Sequence, residues 1–96
     1  MSLTRALQDV VVVLESVALA CGSTETLDEA RTIASTILGS VKRGQRDTGM
    51  VNEMIARLIE LIDHARAELE MNGCLEAYRL DDALAALESI RLRPSL

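Results

Sequence analysis

Ninety-six residues make one domain with a modest core. There is no Phe or Trp, and Tyr78 is the single tyrosine, which removes the usual stacking platforms for bases and flat ligands. A formal charge of −5 means that any contact with nucleic acid needs a local basic patch. The core must be built from Leu, Ile, Val, Ala and Met, a palette that suits closely packed helices. One Pro and five Gly leave few breaks, which favours long helices over a many-turned β fold.

The first element opens on a run of four valines, Val10 to Val13. A strand would place them alternately on two faces, with nothing after Glu15 to continue the pattern. A lipoprotein signal ending at Cys21 would need an uninterrupted apolar stretch, which Glu15 breaks, and the order Ala18-Leu19-Ala20 departs from the usual pattern before such a cysteine. The same Glu15 and the short apolar run argue against a membrane span. The spacing Leu3, Leu7, Val10, Leu14, Val17, Cys21 marks one stripe of a helix over about 3–21. Val12 and Leu19, seven apart, lie on the opposite side, so this helix has more apolar surface than one partner covers. They are a candidate interface, covered either by a second subunit or by a central position within one chain.

Gly22 ends this helix. Thr26-Leu27-Asp28-Glu29 has the form of a capping box opening a second helix over 27–42. Its stripe is Leu27, Ala30, Ala34, Ile37 and Val41, and its polar side holds Thr32, Ser35, Thr36, Gly39 and Ser40, where Gly39 would permit a close helix approach. A glycine-bracketed polar loop over 42–49 follows. The third helix spans about 50–71, with Val51, Met54, Leu58, Leu61 and Ala65 as its seam and Ile55, Ile59, Ile62 and Leu69 broadening it; Asn72-Gly73 stops it. A last helix over 75–92 carries Leu80, Ala83, Leu84, Leu87 and Ile90, with Leu75 and Tyr78 half a turn away. That offset predicts an irregularity near 79–81 and contacts on two sides. The segments after Gly22 and after Gly73 echo each other weakly; two helical hairpins from a duplication would give this, and so would shared capping chemistry, the favoured reading. The expected fold is all-α, a single antiparallel four-helix bundle over 1–96.

This topology brings Cys21 and Cys74 to the same end. Two cysteines are no disulfide scaffold, so the expectation is a pair of small reduced thiols in a cytoplasmic protein. Arg5, Lys42, Arg43, Arg46, Arg91 and Arg93 gather at the other end as a candidate anion-binding pole. Glu25, Asp28, Glu29, Glu68, Glu70, Glu76, Asp81 and Asp82 gather at the cysteine end. The helix macrodipole explains acids opening helices 2 and 4 and bases closing helix 2, but not Arg5 opening helix 1 or Glu68 and Glu70 closing helix 3. Glu60-x-x-Asp63 and Glu25-x-x-Asp28 have the form of paired magnesium ligands, and Glu60 with His64, four apart, comes near the Glu-x-x-His of a di-iron set. Their placement off the seam, and the lack of a second histidine, set both aside. His64 is the sole histidine and projects from a polar face, without the Lys and Gly that usually follow a phosphotransfer histidine.

These readings predict a small non-catalytic interaction module, an adaptor, chaperone or assembly factor, that self-associates and needs no cofactor. The alternative is a regulator whose basic pole binds nucleic acid or another polyanion. A small metal-dependent nucleotide hydrolase or a phosphotransfer protein ranks below both. The partner is expected to be a second copy together with an unidentified protein, with no membrane.

Overall fold

A computed structural model of the chain describes residues 3–44 and 48–90. The elements are α1 (Leu3–Cys21), α2 (Glu25–Lys42), α3 (Thr48–Met71), a 3₁₀ segment η1 (Leu75–Arg79) and α4 (Leu80–Ile90). α1 packs against α2 on one side and against α4 and η1 on the other, and α3 packs against the same three elements from the opposite corner. The result is a four-cornered antiparallel bundle measuring 42 × 25 × 22 Å. Polar pairings link the elements at their surfaces: Arg57 lies 3.7 Å from Glu29, Arg66 lies 2.6 Å from Asp81, and Arg79 donates to the Ser16 hydroxyl at 2.7 Å.

The core follows the apolar spacing of each helix. Leu7, Val10, Leu14 and Val17 from α1 meet Leu27, Ala30, Ala34 and Ile37 from α2 in one continuous cluster. α4 contributes Leu80, Ala83 and Leu87. No polar or charged residue is buried among the described residues, so the core is held by close apolar packing. The seam of α3 is largely the expected one: Val51, Leu58, Leu61 and Ala65 are buried, joined by Ile55, Ile62 and Leu69 from its broadened edge, whereas Met54 and Ile59 pack only partly. α3 touches α2 on one flank and α4 with η1 on the other, so its buried stripe centres between them.

Local chemistry sets the helix ends, and two expectations are corrected there. α2 is capped by Thr24, whose hydroxyl accepts from the Leu27 amide at 3.0 Å; Thr26 lies inside the helix. Glu25 is therefore the first helical residue, where its charge complements the helix dipole. α3 begins at Thr48, two residues before the expected start, and takes Gly49 into its first turn. It ends in a Schellman turn: the Gly73 amide donates to Glu70 and the Cys74 amide to Leu69, each at 3.0 Å. Gly73, at φ +81°, supplies the left-handed residue that this turn requires. Gly22, at φ +84°, does the same for α1, donating to the Ala18 carbonyl at 3.0 Å. Gly39 does not serve a close helix approach. A Cβ there would meet only the Arg43 guanidinium, at 3.3 Å.

The expected irregularity near 79–81 is the junction of η1 and α4. The 3₁₀ period of three places Leu75 and Tyr78 on one outer face and turns Ala77 inward. Leu75 and Tyr78 are thus exposed rather than contacted on a second side, which corrects the reading of a helix packed on both faces.

Candidate interaction surfaces

α1 carries the first surface. Of the four valines, Val10 is buried in the core, Val11 and Val13 pack along its edges, and Val12 faces outward. Val12 is 65% exposed and Leu19 is 89% exposed. A 19-residue helix docked in the corner between α2 and α4 has no neighbour on its back, so these residues are uncovered by the chain itself. The central-helix alternative is excluded for the single chain.

The two cysteines are joined. Cys21 and Cys74 form a disulfide with their Cα atoms 5.7 Å apart. This corrects the expectation of reduced thiols. The left-handed glycine turns beside each cysteine place Cys21 at the last residue of α1 and Cys74 just past the end of α3, within bonding reach at the same end of the bundle. The signal was present in the sequence as Cys21-Gly22 and Gly73-Cys74, a cysteine beside a helix-ending glycine at each end.

The disulfide anchors a second apolar surface that sequence reasoning missed. Leu75 is 86% exposed and Tyr78 is 63% exposed. Both line a hollow between η1 and the end of α3, together with Arg66, Glu70, Cys74 and Ala77. Arg66 walls it, reaching Glu70 at 3.0 Å and Asp81 at 2.6 Å. Arg79 lies 3.7 Å from Glu76. Met71, at the last residue of α3, is also exposed.

At the other end, Lys42 and Arg43 are exposed at the close of α2. Arg5, another member of the expected pole, is exposed in the first turn of α1, and Arg46, Arg91 and Arg93 lie outside the described residues. The acidic candidates do not assemble. Glu60 and Asp63 are exposed on the outer side of α3, and Glu25 opens α2. Among the described residues, no three His, Cys, Asp or Glu side chains converge in a way that would hold a metal ion. His64 is exposed, with Nε2 3.8 Å from a Glu68 carboxylate oxygen. An open polar groove between α1 and α2 is lined by Glu15, Asp28, Arg31, Thr32, Ser35 and Thr36. Its groups are largely turned on one another: Ser23 donates to Asp28, Arg31 pairs with Asp28 at 3.4 Å, and the Thr32 and Thr36 hydroxyls donate to carbonyls four residues back.

No helix among the described residues is long and apolar enough to cross a membrane. Comparison with family models, curated proteins and solved structures finds no match to this chain.

Proposed function

We propose that this chain is a small non-catalytic helical interaction module, an adaptor, chaperone or assembly factor, that self-associates through the back of α1. The observation that supports this reading is the exposure of Val12 and Leu19 on a helix whose opposite stripe fills the core. Large aliphatic side chains one above another on a helix back lower their free energy when a partner covers them. Two side chains cover far less than the ~800 Å² per partner of a standard interface, so they form its centre, with Gln8, Glu15 and Ser16 around them.

Light scattering on the Val12→Glu, Leu19→Glu variant tests the reading. Its mass falls to that of one chain while the helical signal stays unchanged; a variant as associated as the wild type counts against the α1 surface. A second reading, a regulator that binds a polyanion, rests on exposed Lys42 and Arg43 at one end of the bundle. It predicts salt-sensitive binding to DNA or RNA, and no affinity at low salt removes it. The cytoplasmic expectation rested on free thiols and is not carried forward. A half-buried disulfide suits a compartment where thiols are oxidised.

A further inference from the structure

We propose that the Cys21–Cys74 disulfide is a redox latch: oxidised, it holds η1 against α1, and on reduction by a dithiol η1 comes loose while the four helices stay folded.

The sequence of η1 gives it little hold of its own. Of its five residues Ala77 alone is buried, and that side chain is one methyl group. Leu75 and Tyr78, its two large apolar side chains, are exposed. A 3₁₀ run of five residues is long for its kind, because its hydrogen bonds are poorly aligned. The segment is anchored at its ends. The Cys74 amide donates to the Leu69 carbonyl of α3 at 3.0 Å, and Leu80, which opens α4, is fully buried. Its side is tied to α1 by the disulfide at Cys74 and by the hydrogen bond from Arg79 to the Ser16 hydroxyl at 2.7 Å. That hydrogen bond is only part-buried, so water competes for it, and the same Arg79 nitrogen lies 3.7 Å from Glu76. The covalent link therefore dominates the attachment. The helices have another source of cohesion: Leu14, Ile37, Leu58 and Leu87, one from each, are fully buried in a shared core. Loss of the bond is thus felt in the native state at η1 first.

The bond is within reach of a reductant. Both cysteines are half-buried, and Cys74 lines the open hollow between η1 and the end of α3. The step is thiol–disulfide exchange. A thiolate of the dithiol attacks one sulfur, the S–S bond breaks, and the other cysteine leaves as a thiolate and takes up a proton. The second thiolate of the reductant then attacks the mixed disulfide and releases the first cysteine, which is protonated in turn. Two electrons and two protons pass to the protein, and the dithiol becomes a cyclic disulfide. Leu75 and Tyr78 share one outer face only while η1 keeps its 3₁₀ form, so the presentation of that apolar pair depends on oxidation.

The test is nitrogen-15 relaxation of backbone amides in the full chain, which reads motion within the folded state rather than global unfolding. Three samples are compared: the oxidised wild type, the wild type with dithiothreitol, and the Cys21→Ser, Cys74→Ser variant. The order parameters of Ala77, Tyr78 and Arg79 are expected to be about 0.85 in the oxidised chain and below about 0.6 in the other two, while Leu14, Ile37 and Leu58 stay near about 0.85 in all three. Removing dithiothreitol and reoxidising restores the first pattern. Arg79→Gln in the oxidised chain leaves η1 ordered, since the disulfide carries the attachment. Order at η1 that survives both reduction and the double serine substitution overturns the proposal. So does loss of order at Leu14, Ile37 and Leu58 together with η1, because the bond would then staple the whole bundle rather than latch one segment. An η1 already mobile in the oxidised wild type, or one freed by Arg79→Gln alone, overturns it as well.

Discussion

Replacing Cys21 and Cys74 together with serine opens a cross-link between residues 53 apart in sequence. Closing a loop of that length removes denatured-state entropy worth about 4 kcal/mol in the chain-entropy description. The lost packing is small, because both sulfurs sit at the edge of the core rather than inside it. In a domain of this size each kcal/mol moves Tm by roughly 4–8 °C, so the double-serine chain melts roughly 15–30 °C lower. The assay is urea unfolding followed by helical circular dichroism, on the oxidised wild type, the wild type with reductant, and the double-serine variant. The last two coincide, both about 4 kcal/mol less stable than the oxidised chain, and their m-values rise because the unlinked denatured chain is more expanded. Two titratable thiols in protein purified without reductant would refute the reasoning. So would a stability difference below about 1 kcal/mol, the level of an ordinary surface or edge substitution.

Two further outcomes follow from the helix ends. Thr24→Ala lowers stability by about 1 kcal/mol through loss of the cap on Leu27, while Thr26→Ala changes it by less than about 0.5 kcal/mol; equal losses in denaturant titrations would contradict the cap assignment. Gly73→Ala places a side chain at φ +81° and lowers stability by about 1 kcal/mol or more, whereas Gly39→Ala, inside α2 against a movable Arg43 side chain, raises it by about 0.5–1 kcal/mol. Thermal melts of the two variants shift in opposite directions, and shifts of the same sign would count against these backbone assignments.

Most of the architecture was legible because apolar spacing and fold agree. The four-three steps from Leu3 to Cys21 are the stripe that the bundle buries, and Val12 and Leu19 stand clear of it as their phase requires. α3 was harder, since its apolar residues spread over a wide arc and the buried centre depends on where its neighbours sit. Thr24 and Thr26 both carry the hydroxyl that a cap needs, and the choice between them is made by the turn at Gly22, which spacing does not encode. Leu75 and Tyr78 depart from their expected contacts because the chain takes a 3₁₀ period there, which apolar spacing alone does not distinguish from an α period. The disulfide was half legible. Topology brought the sulfurs together, but whether neighbouring thiols bond depends on the redox environment as well as geometry.

The proposed role is that of a bundle covered by another protein surface, first of all that of its own copy. Sedimentation equilibrium of the full wild-type chain over a wide concentration series, beside the Leu19→Glu variant, tests it most directly. The expected result is a wild-type mass that climbs above one chain with concentration, and a Leu19→Glu mass that climbs far less at the same concentrations. A wild-type chain that holds the mass of one copy throughout the series contradicts it.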